Sequence, residues 1–245
     1  MPEEIKDARP LQRIFSEVPD TYDLINRLFT LRLDGVWRAK AAEECIRGRP
    51  RRMLDLCTGT GDLALSMAGQ SGTASNITGV DFSLQMLRKA LLKAAGSGKK
   101  VALVLGDAAR LPFRDRSFDA VGIAFAFRNL TYRNSSRDQY LSEILRILAP
   151  GGKFVIVESS RPRSAAMRAL FHWYMRTAVS FMGGIISGHR GAYRYLAHSA
   201  INFYSPAELT GLLVSAGFGR VEYQTLLFGV AAMHVAYKKK DSDLD

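Results

Sequence analysis

Only two cysteines, Cys45 and Cys57, occur in 245 residues. Two thiols, one of them inside a glycine turn, cannot build a disulfide framework, and they point to a reducing, cytoplasmic setting. Histidine is scarce at four residues, and no His/Cys/Asp spacing suits a metal, so none is expected. Long apolar runs are missing. The most apolar stretch, Ala165 to Ser187, is broken by Arg168, His172 and Arg176 and contains Gly183-Gly184, which excludes a membrane span. The amino terminus carries Glu3, Glu4 and Asp7 rather than a basic segment before an apolar one, so no signal peptide is expected. Internal repeats and low-complexity linkers are absent too. Acidic residues are in short supply: 23 against 34 basic ones, a net charge of +11. That excess attracts polyanions, either nucleic acid or an anionic membrane surface. No basic run interleaves with stacking aromatics, so nucleic acid is not expected. The densest basic cluster, Arg47, Arg49, Arg51 and Arg52, precedes the first apolar strand and reads as a solvated edge or a docking patch.

What is present is enough apolar residue (47%) to bury a full core, and one informative turn. Met53-Leu54-Asp55-Leu56 is an apolar run followed by Cys57-Thr58-Gly59-Thr60-Gly61-Asp62 and then by Leu63, Leu65 and Met67. This is strand, glycine turn and helix, in which glycines let a ligand approach the backbone. The Gly-x-Gly-x-x-Ala pattern alone does not separate NAD, FAD and S-adenosylmethionine (SAM) sites. A second run, Ile77 to Val80, ends in Asp81, about twenty residues on, where an acid meets ribose hydroxyls. A third, Val101 to Gly106, ends in Asp107-Ala108-Ala109, which suits an adenine edge. Three strand-end acids with no basic residue from the loops near Gly59 favour a cationic ligand over a pyrophosphate. SAM is the expected cofactor, with Asp55, Thr58 and Gly59-Thr60-Gly61 at its amino-acid end and Asp81 on the ribose. Phe82 would pack on the adenine and Asp107-Ala108 would meet its edge.

Strands are expected at 53–56, 77–80, 101–105, 118–125 and 154–157, alternating with helices at 62–69, 83–95 and 140–148. Ser83 is placed to cap the second of these helices, and Pro150-Gly151-Gly152 to end the third. Residues 1–50 read as a helical cover with helices at 10–17, 22–31 and 37–46, and 51–158 as the ligand-binding core. Residues 159–205 read as a second helical cover, and 206–240 as a helix and a closing β-hairpin. The sum is one α/β domain: a doubly wound, mostly parallel sheet of seven strands with its ligand at the strands' carboxyl ends.

Several segments resemble the ubiquinone/menaquinone biosynthesis C-methyltransferases, over nearly the whole chain. Tyr22-Asp23-Leu24-Ile25-Asn26 followed by Trp37-Arg38 is similar to that family's leading segment, and Asp55-x-x-x-Gly59-Thr60-Gly61-Asp62 and Asp81-Phe82-Ser83-x-x-Met86-Leu87 to its SAM loops. Leu111-Pro112-Phe113, Ser117-Phe118-Asp119 and Phe125-Ala126-Phe127-Arg128-Asn129 resemble its signature around the fourth strand, and Tyr193-Arg194-Tyr195-Leu196-Ala197-x-Ser199 its late motif. The resemblance implies a Rossmann-like class I methyltransferase fold and SAM-dependent methylation of a prenylated quinol ring. It implies Met86 and Ala124 beside SAM, the alanine through its backbone because the family often has a hydroxyl or glycine there. Tyr22, Asn26, Trp37, Tyr193 and Tyr195 would line the substrate site, and Arg128 and Asn129 would be catalytic.

Ring carbon becomes nucleophilic once a neighbouring hydroxyl ionises, and a phenol titrates near ~10. Arg128, always protonated, can stabilise that anion or hold a relaying water, and Asn129 can orient it. The alternative is a salt bridge from Arg128 to an acid on the following helix, with Asn129 as a cap. His172, His189, His198 and His234 are further proton-transfer candidates. The segment around Phe171, Trp173, Tyr174, Met175, Val179, Phe181 and Met182 is either ordinary helix packing or a mouth for an isoprenoid tail. In the second case Arg168, Arg176, Arg190 and Arg194 would lie near anionic headgroups, giving peripheral attachment to the inner face of a membrane. A homodimer is compatible with all of this. Two other readings stay open: a methyltransferase of RNA or another substrate, and a non-catalytic SAM-binding scaffold of a quinone-assembly complex.

Overall fold

Seven strands and seven labelled helices alternate along the computed structural model, which describes Arg27, Thr30 and residues 32–72, 75–179 and 197–243. Helix α1 (Leu33–Ile46) precedes β1 (Arg52–Leu56), α2 (Asp62–Ser71), β2 (Asn76–Asp81), α3 (Leu84–Ser97) and β3 (Ala102–Leu105). Then come β4 (Phe118–Ala124), α4 (Phe127–Thr131), α5 (Arg137–Ile147), β5 (Leu148–Ser159), α6 (Ala165–Tyr174), α7 (Pro206–Ser215), β6 (Phe218–Leu226) and β7 (Ala231–Lys238). The sheet order is β3-β2-β1-β4-β5-β7-β6. β1 to β5 pair in parallel, and β7 runs antiparallel between β5 and β6. The chain reverses its walk across the sheet between β1 and β4, and the crevice at that switch lies at the strands' carboxyl ends.

Both faces of the sheet are buried, as a parallel sheet requires. On one face Trp37, Ala41, Ala42 and Cys45 of α1 and Leu63, Ala64 and Met67 of α2 cover Met53, Ala120, Val155 and Val157. On the other, Leu141, Ile144 and Ile147 of α5 and Leu209 and Leu213 of α7 cover Leu54, Val121, Phe154 and Ile156. Local signals account for much of this. The Ser83 hydroxyl accepts the Met86 N–H, as the cap reading expected. Ser205 and Glu208 form a reciprocal capping box with Pro206 at the first helical position.

Two elements differ from expectation. Pro150-Gly151-Gly152 does not end a helix outside the sheet; it lies within β5, which starts at Leu148. The register jumps from Phe118↔Leu148 to Ala120↔Lys153, so the three residues form a bulge where a proline's missing N–H costs no ladder bond. Helix α1 begins at Leu33, one turn before the expected start at Trp37, because Thr30 anchors it by donating to Asp34 at 3.0 Å and accepting the Asp34 N–H at 3.2 Å.

The far end of α1 is tied to the sheet by Lys153, the residue at which pairing resumes after the bulge. Its buried ammonium donates to the carbonyl oxygens of Glu44 and, at 2.8 Å, of Arg47. Cations at a helix carboxyl terminus satisfy orphan carbonyls, and burial pulls this amine's pKa below its usual value. Lys153→Met is expected to cost about 2–3 kcal/mol by leaving those carbonyls buried and unpaired. Urea unfolding checks this: the midpoint should fall with little change in slope.

Candidate functional site

Asp55, Thr58–Gly61, Asp81–Phe82, Asp107–Ala108 and Ala124 all lie at the carboxyl ends of β1 to β4 or in the turns that follow, beside the topological switch. Hydrogen bonds lock the turns together. Asp55 is buried on β1, and its Oδ2 accepts the Thr58 hydroxyl at 2.6 Å and the Ala64 N–H of α2 at 2.9 Å. Asp81 accepts the Gly59 N–H at 2.8 Å and the Ser83 N–H at 2.9 Å. The Thr58 N–H donates to the Val80 carbonyl, and the Gly106 N–H to that of Asp81. One carboxylate therefore shapes the glycine turn from below and the other pins it from the side.

The two glycines do different work. Gly61, at φ +86°, would place a Cβ 3.0 Å from Ala90 Cβ, so it permits α2 and α3 to touch. Gly59, at φ +56°, would place a Cβ with nothing within 4 Å. Its bare backbone faces open space, which fits a ligand laid against the turn. Phe82 is 38% exposed beside it and is not part of the core. Met86 and Ala108 are buried, at 2% and 8% exposure, so little of either side chain is accessible. Asp107 is exposed, and its Oδ1 accepts the Ala109 N–H at 2.8 Å. This donor set of acids, a bare glycine and an open aromatic face suits a ligand that is cationic at one end and carries a nucleoside at the other.

Burial dominates the site's electrostatics. It pushes the Asp55 carboxyl up to about 7, against the bonds from Thr58 and Ala64 and the nearby Arg38 charge. Asp81 is raised too, also by burial and against the N–H groups of Ser83 and Gly59. A cation placed between these two carboxyls would lower both values.

Helices bring two cations that strand-end reading missed. Lys93 of α3 donates to Thr60 Oγ1 at 2.8 Å and to Asp62 at 2.7 Å. Arg38 of α1 is buried, bonds Asp34, approaches Asp62 at 3.9 Å and lies 5.1 Å over the Phe125 ring. The i,i+4 spacing of Asp34 and Arg38 was the one local clue. Trp37 is buried with its ring 6.1 Å from Phe125, so it packs in the core of this conformation.

Beyond β4, Phe125 takes a left-handed φ of 58° and its N–H donates to the Val157 carbonyl. That corner starts α4, too short to show a period in the sequence. Arg128 is buried there. Its Nη1 donates to Glu158 Oε1 and Ser159 Oγ, both at 2.8 Å, and its backbone N–H to Glu158 Oε2 at 3.1 Å. The ion-pair alternative therefore materialises with a partner on β5, not on the following helix. Arg128 Nε and Asn129 Oδ1 are buried without a hydrogen-bond partner among the described residues. Buried orphans of this kind mark a place for a ligand or a water.

Burial holds His234 near a pKa of about 4, with Nε2 against the Pro206 carbonyl at 3.0 Å, a structural placement. His172 is lowered by burial and by Arg176 and Arg168. His198 is exposed. Tyr22, Asn26, Tyr193, Tyr195 and His189 lie outside the described residues, as do Phe181, Met182, Arg190 and Arg194.

The chain matches the model of the ubiE/COQ5 methyltransferase family over residues 3–238. It is 43% identical to a demethylmenaquinone methyltransferase of Thermus thermophilus, covering 91% of this chain and 98% of that one. It is 39% identical to one of Deinococcus radiodurans, over 95% and 94%. A ubiquinone/menaquinone biosynthesis C-methyltransferase UbiE of Geobacter sulfurreducens is 38% identical, over 93% and 88%. Among solved structures, a SAM-dependent methyltransferase from Thermotoga maritima superposes with TM-score 0.65 at 20% identity, over 93% of this chain and 99% of that one.

The raised Asp55 value carries a sign. Unfolded, the carboxyl loses its proton near 3.8; folded, it holds it to about 7. The unfolded state is thus favoured increasingly as pH rises between those values, by up to about 4 kcal/mol above both. Asp55→Asn, which can still accept both bonds, is expected to lose that decline. Ligand-free unfolding curves at pH 4.5 and 7.5 on both proteins test this, and a decline of equal size in both would refute it.

Proposed function

The chain belongs to the ubiE/COQ5 methyltransferase family, and from that premise we propose that its acceptor is a prenylated naphthoquinol of the demethylmenaquinol type. It is a SAM-dependent C-methyltransferase of menaquinone and ubiquinone biosynthesis. The naphthoquinol is favoured because the Thermus and Deinococcus relatives are both named for demethylmenaquinone. The observation that carries the site assignment is the bare Gly59 backbone flanked by Asp55 and Asp81.

Bound SAM supplies an electrophilic methyl group on a sulfonium. In this proposal Asp55 faces its ammonium end, Asp81 its ribose and Phe82 its base. Arg38, between Asp62 and Phe125, is the cation available for its carboxylate. Arg128 is not an unpartnered charge, since Glu158 balances it. Its role is therefore to fix geometry: the pair anchors α4 so that Arg128 Nε and Asn129 Oδ1 can bond the quinol oxygen or a water that takes the phenolic proton. The ring carbon would take the methyl group as the S–CH3 bond breaks and S-adenosylhomocysteine leaves with the electron pair, and the ring C–H proton would pass to the phenolic oxygen or that water, restoring aromaticity. A prenylated ring resides in a bilayer, so the protein works peripherally at an anionic membrane surface, on the cytoplasmic side.

Asp81→Ala is expected to weaken SAM binding at least about tenfold, as loss of a charge-assisted pair would. Calorimetric titration reads this directly, and an unchanged affinity removes the ribose assignment. With labelled SAM, methyl transfer to a prenylated naphthoquinol should exceed transfer to a prenylated methoxybenzoquinol. The reverse preference would place the protein on the benzenoid branch.

A further inference from the structure

The turn between β6 and β7 carries an exposed aromatic in a conformation that aromatic residues avoid. Phe228 is 78% exposed at φ 53°, and Leu227 before it is 42% exposed at φ 42°. Consecutive non-glycine residues in the left-handed region are strained, and such strain persists where the surroundings impose it and usually serves a function. The surroundings here are firm. The Val230 N–H closes on the Leu227 carbonyl at 3.1 Å, the Ser160 N–H donates to the Val230 carbonyl at 2.8 Å, and Gly229 lies against Pro162.

Topology sets where the tip points. β7 starts opposite the end of β5, at Ala231↔Ser159, so the turn lies at the same end of the sheet as the SAM site. Helix α6 begins at Ala165, a few residues beyond Pro162. It buries Phe171, and Met175 just past its end is buried too, but it leaves Leu170 55% and Trp173 63% exposed, one turn apart on its outer face. The chain flanking these two projections is poor in acid: described residues 159–179 hold four arginines and no Asp or Glu, Arg161 pairs with Glu208, and Tyr223 to Lys240 again has no acid. Arg168 and Arg176 of this segment make no ion pair among the described residues.

We infer that the Leu227–Phe228 turn and the Leu170/Trp173 face of α6 insert into the headgroup region of an anionic phospholipid bilayer, with Arg168 and Arg176 on the phosphates. Apolar tips in acid-free stretches, with the unpaired Arg168 and Arg176 beside one of them, are complementary to such a surface. The inference deepens the prenylated-acceptor reading and rests on it: the docked face would bring the methylation site to the bilayer that dissolves the tail.

Sedimentation with phosphatidylcholine vesicles, with and without phosphatidylglycerol, tests it. Phe228→Ser with Trp173→Ser should lower partition onto phosphatidylglycerol vesicles at least about tenfold. Arg168→Gln and Arg176→Gln should each lower it about fivefold on the anionic vesicles, and the two together should remove most of the preference for the anionic lipid. Trp173 fluorescence should shift to the blue on binding, while buried Trp37 contributes little change. Phe228→Gly controls for misfolding: relief of strain should raise the melting temperature by about 2 °C while vesicle binding falls. Equal partition of wild type and the double variant would overturn the inference, as would a change in sedimenting mass without lipid, which would make the patch an interface between copies. Methyl transfer to a detergent-dispersed prenylated naphthoquinol separates the two readings. Transfer with Phe228-independent partition sinks the docking surface alone. Phe228-dependent partition with no acceptor quinol sinks the acceptor and leaves the surface standing.

Discussion

A carboxylate buried at the end of β1 organises the ligand end of this protein. Asp55 accepts the Thr58 hydroxyl and the Ala64 N–H of α2, and that holds the chain between them in the Gly59–Gly61 turn. The arrangement costs stability, since burial opposes the charge more strongly than the two bonds favour it. Asp81 repeats the arrangement one strand over, accepting N–H groups from both flanking turns. A fold that only needed to close a turn could do so with a neutral side chain. Two acids kept under electrostatic strain make sense as one half of an ion pair whose cation arrives with the ligand.

The rest of the architecture holds that half-site in register. Lys153 fixes the carboxyl end of α1 to β5, which delivers Arg38 and Trp37 from the helix's other end onto Phe125. Arg38 and Lys93 reach Asp62 from opposite helices, so the amino terminus of α2 is clamped from both sides. Across the switch, Arg128 and Glu158 join α4 to β5, and they leave one donor and one acceptor of the Arg128-Asn129 pair uncommitted. The Lys153 and Arg128–Glu158 contacts are buried, where a lost partner leaves a charge poorly solvated, whereas Lys93 and Asp62 are half-buried and partly reached by water.

What the sequence made legible follows from the range of the forces involved. Ser83 as a cap, the Gly-x-Gly turn and the strand-end acids are all readable because their partners lie within a few residues or at a fixed interval. The doubly wound sheet was legible for the same reason, since its alternation is written in short apolar runs. The Pro150-Gly151-Gly152 bulge was not, because whether those residues end a helix or bend a strand depends on β4 lying alongside. The place of Lys93 and Arg38 at the ligand end is not legible, although Trp37-Arg38 stands in a family-like segment, because 31 residues separate Lys93 from Asp62 and 24 separate Arg38 from it, and only helix packing closes those gaps. Arg128 stands out in the sequence, but its partner lies 30 residues away on β5, beyond the reach of local spacing.

Charge is divided across the ligand end in a way that matches two dissimilar ligands. The acids Asp55, Asp81 and Asp107 follow β1, β2 and β3, whereas the acid-free arginine segment follows β5 and the apolar tip joins β6 to β7. Under the proposed function a water-soluble cation would be drawn to the first half and an anionic lipid surface to the second. Between the two halves lies β4, whose end turns into α4 and the balanced Arg128–Glu158 pair. Neutrality there is an asset. Under the proposed function a bare arginine at that boundary would hold the phenolate charge that the methyl transfer consumes and would attract lipid phosphate. With its charge offset by Glu158, the centre is left to hydrogen-bond geometry, which discriminates position more sharply than charge does.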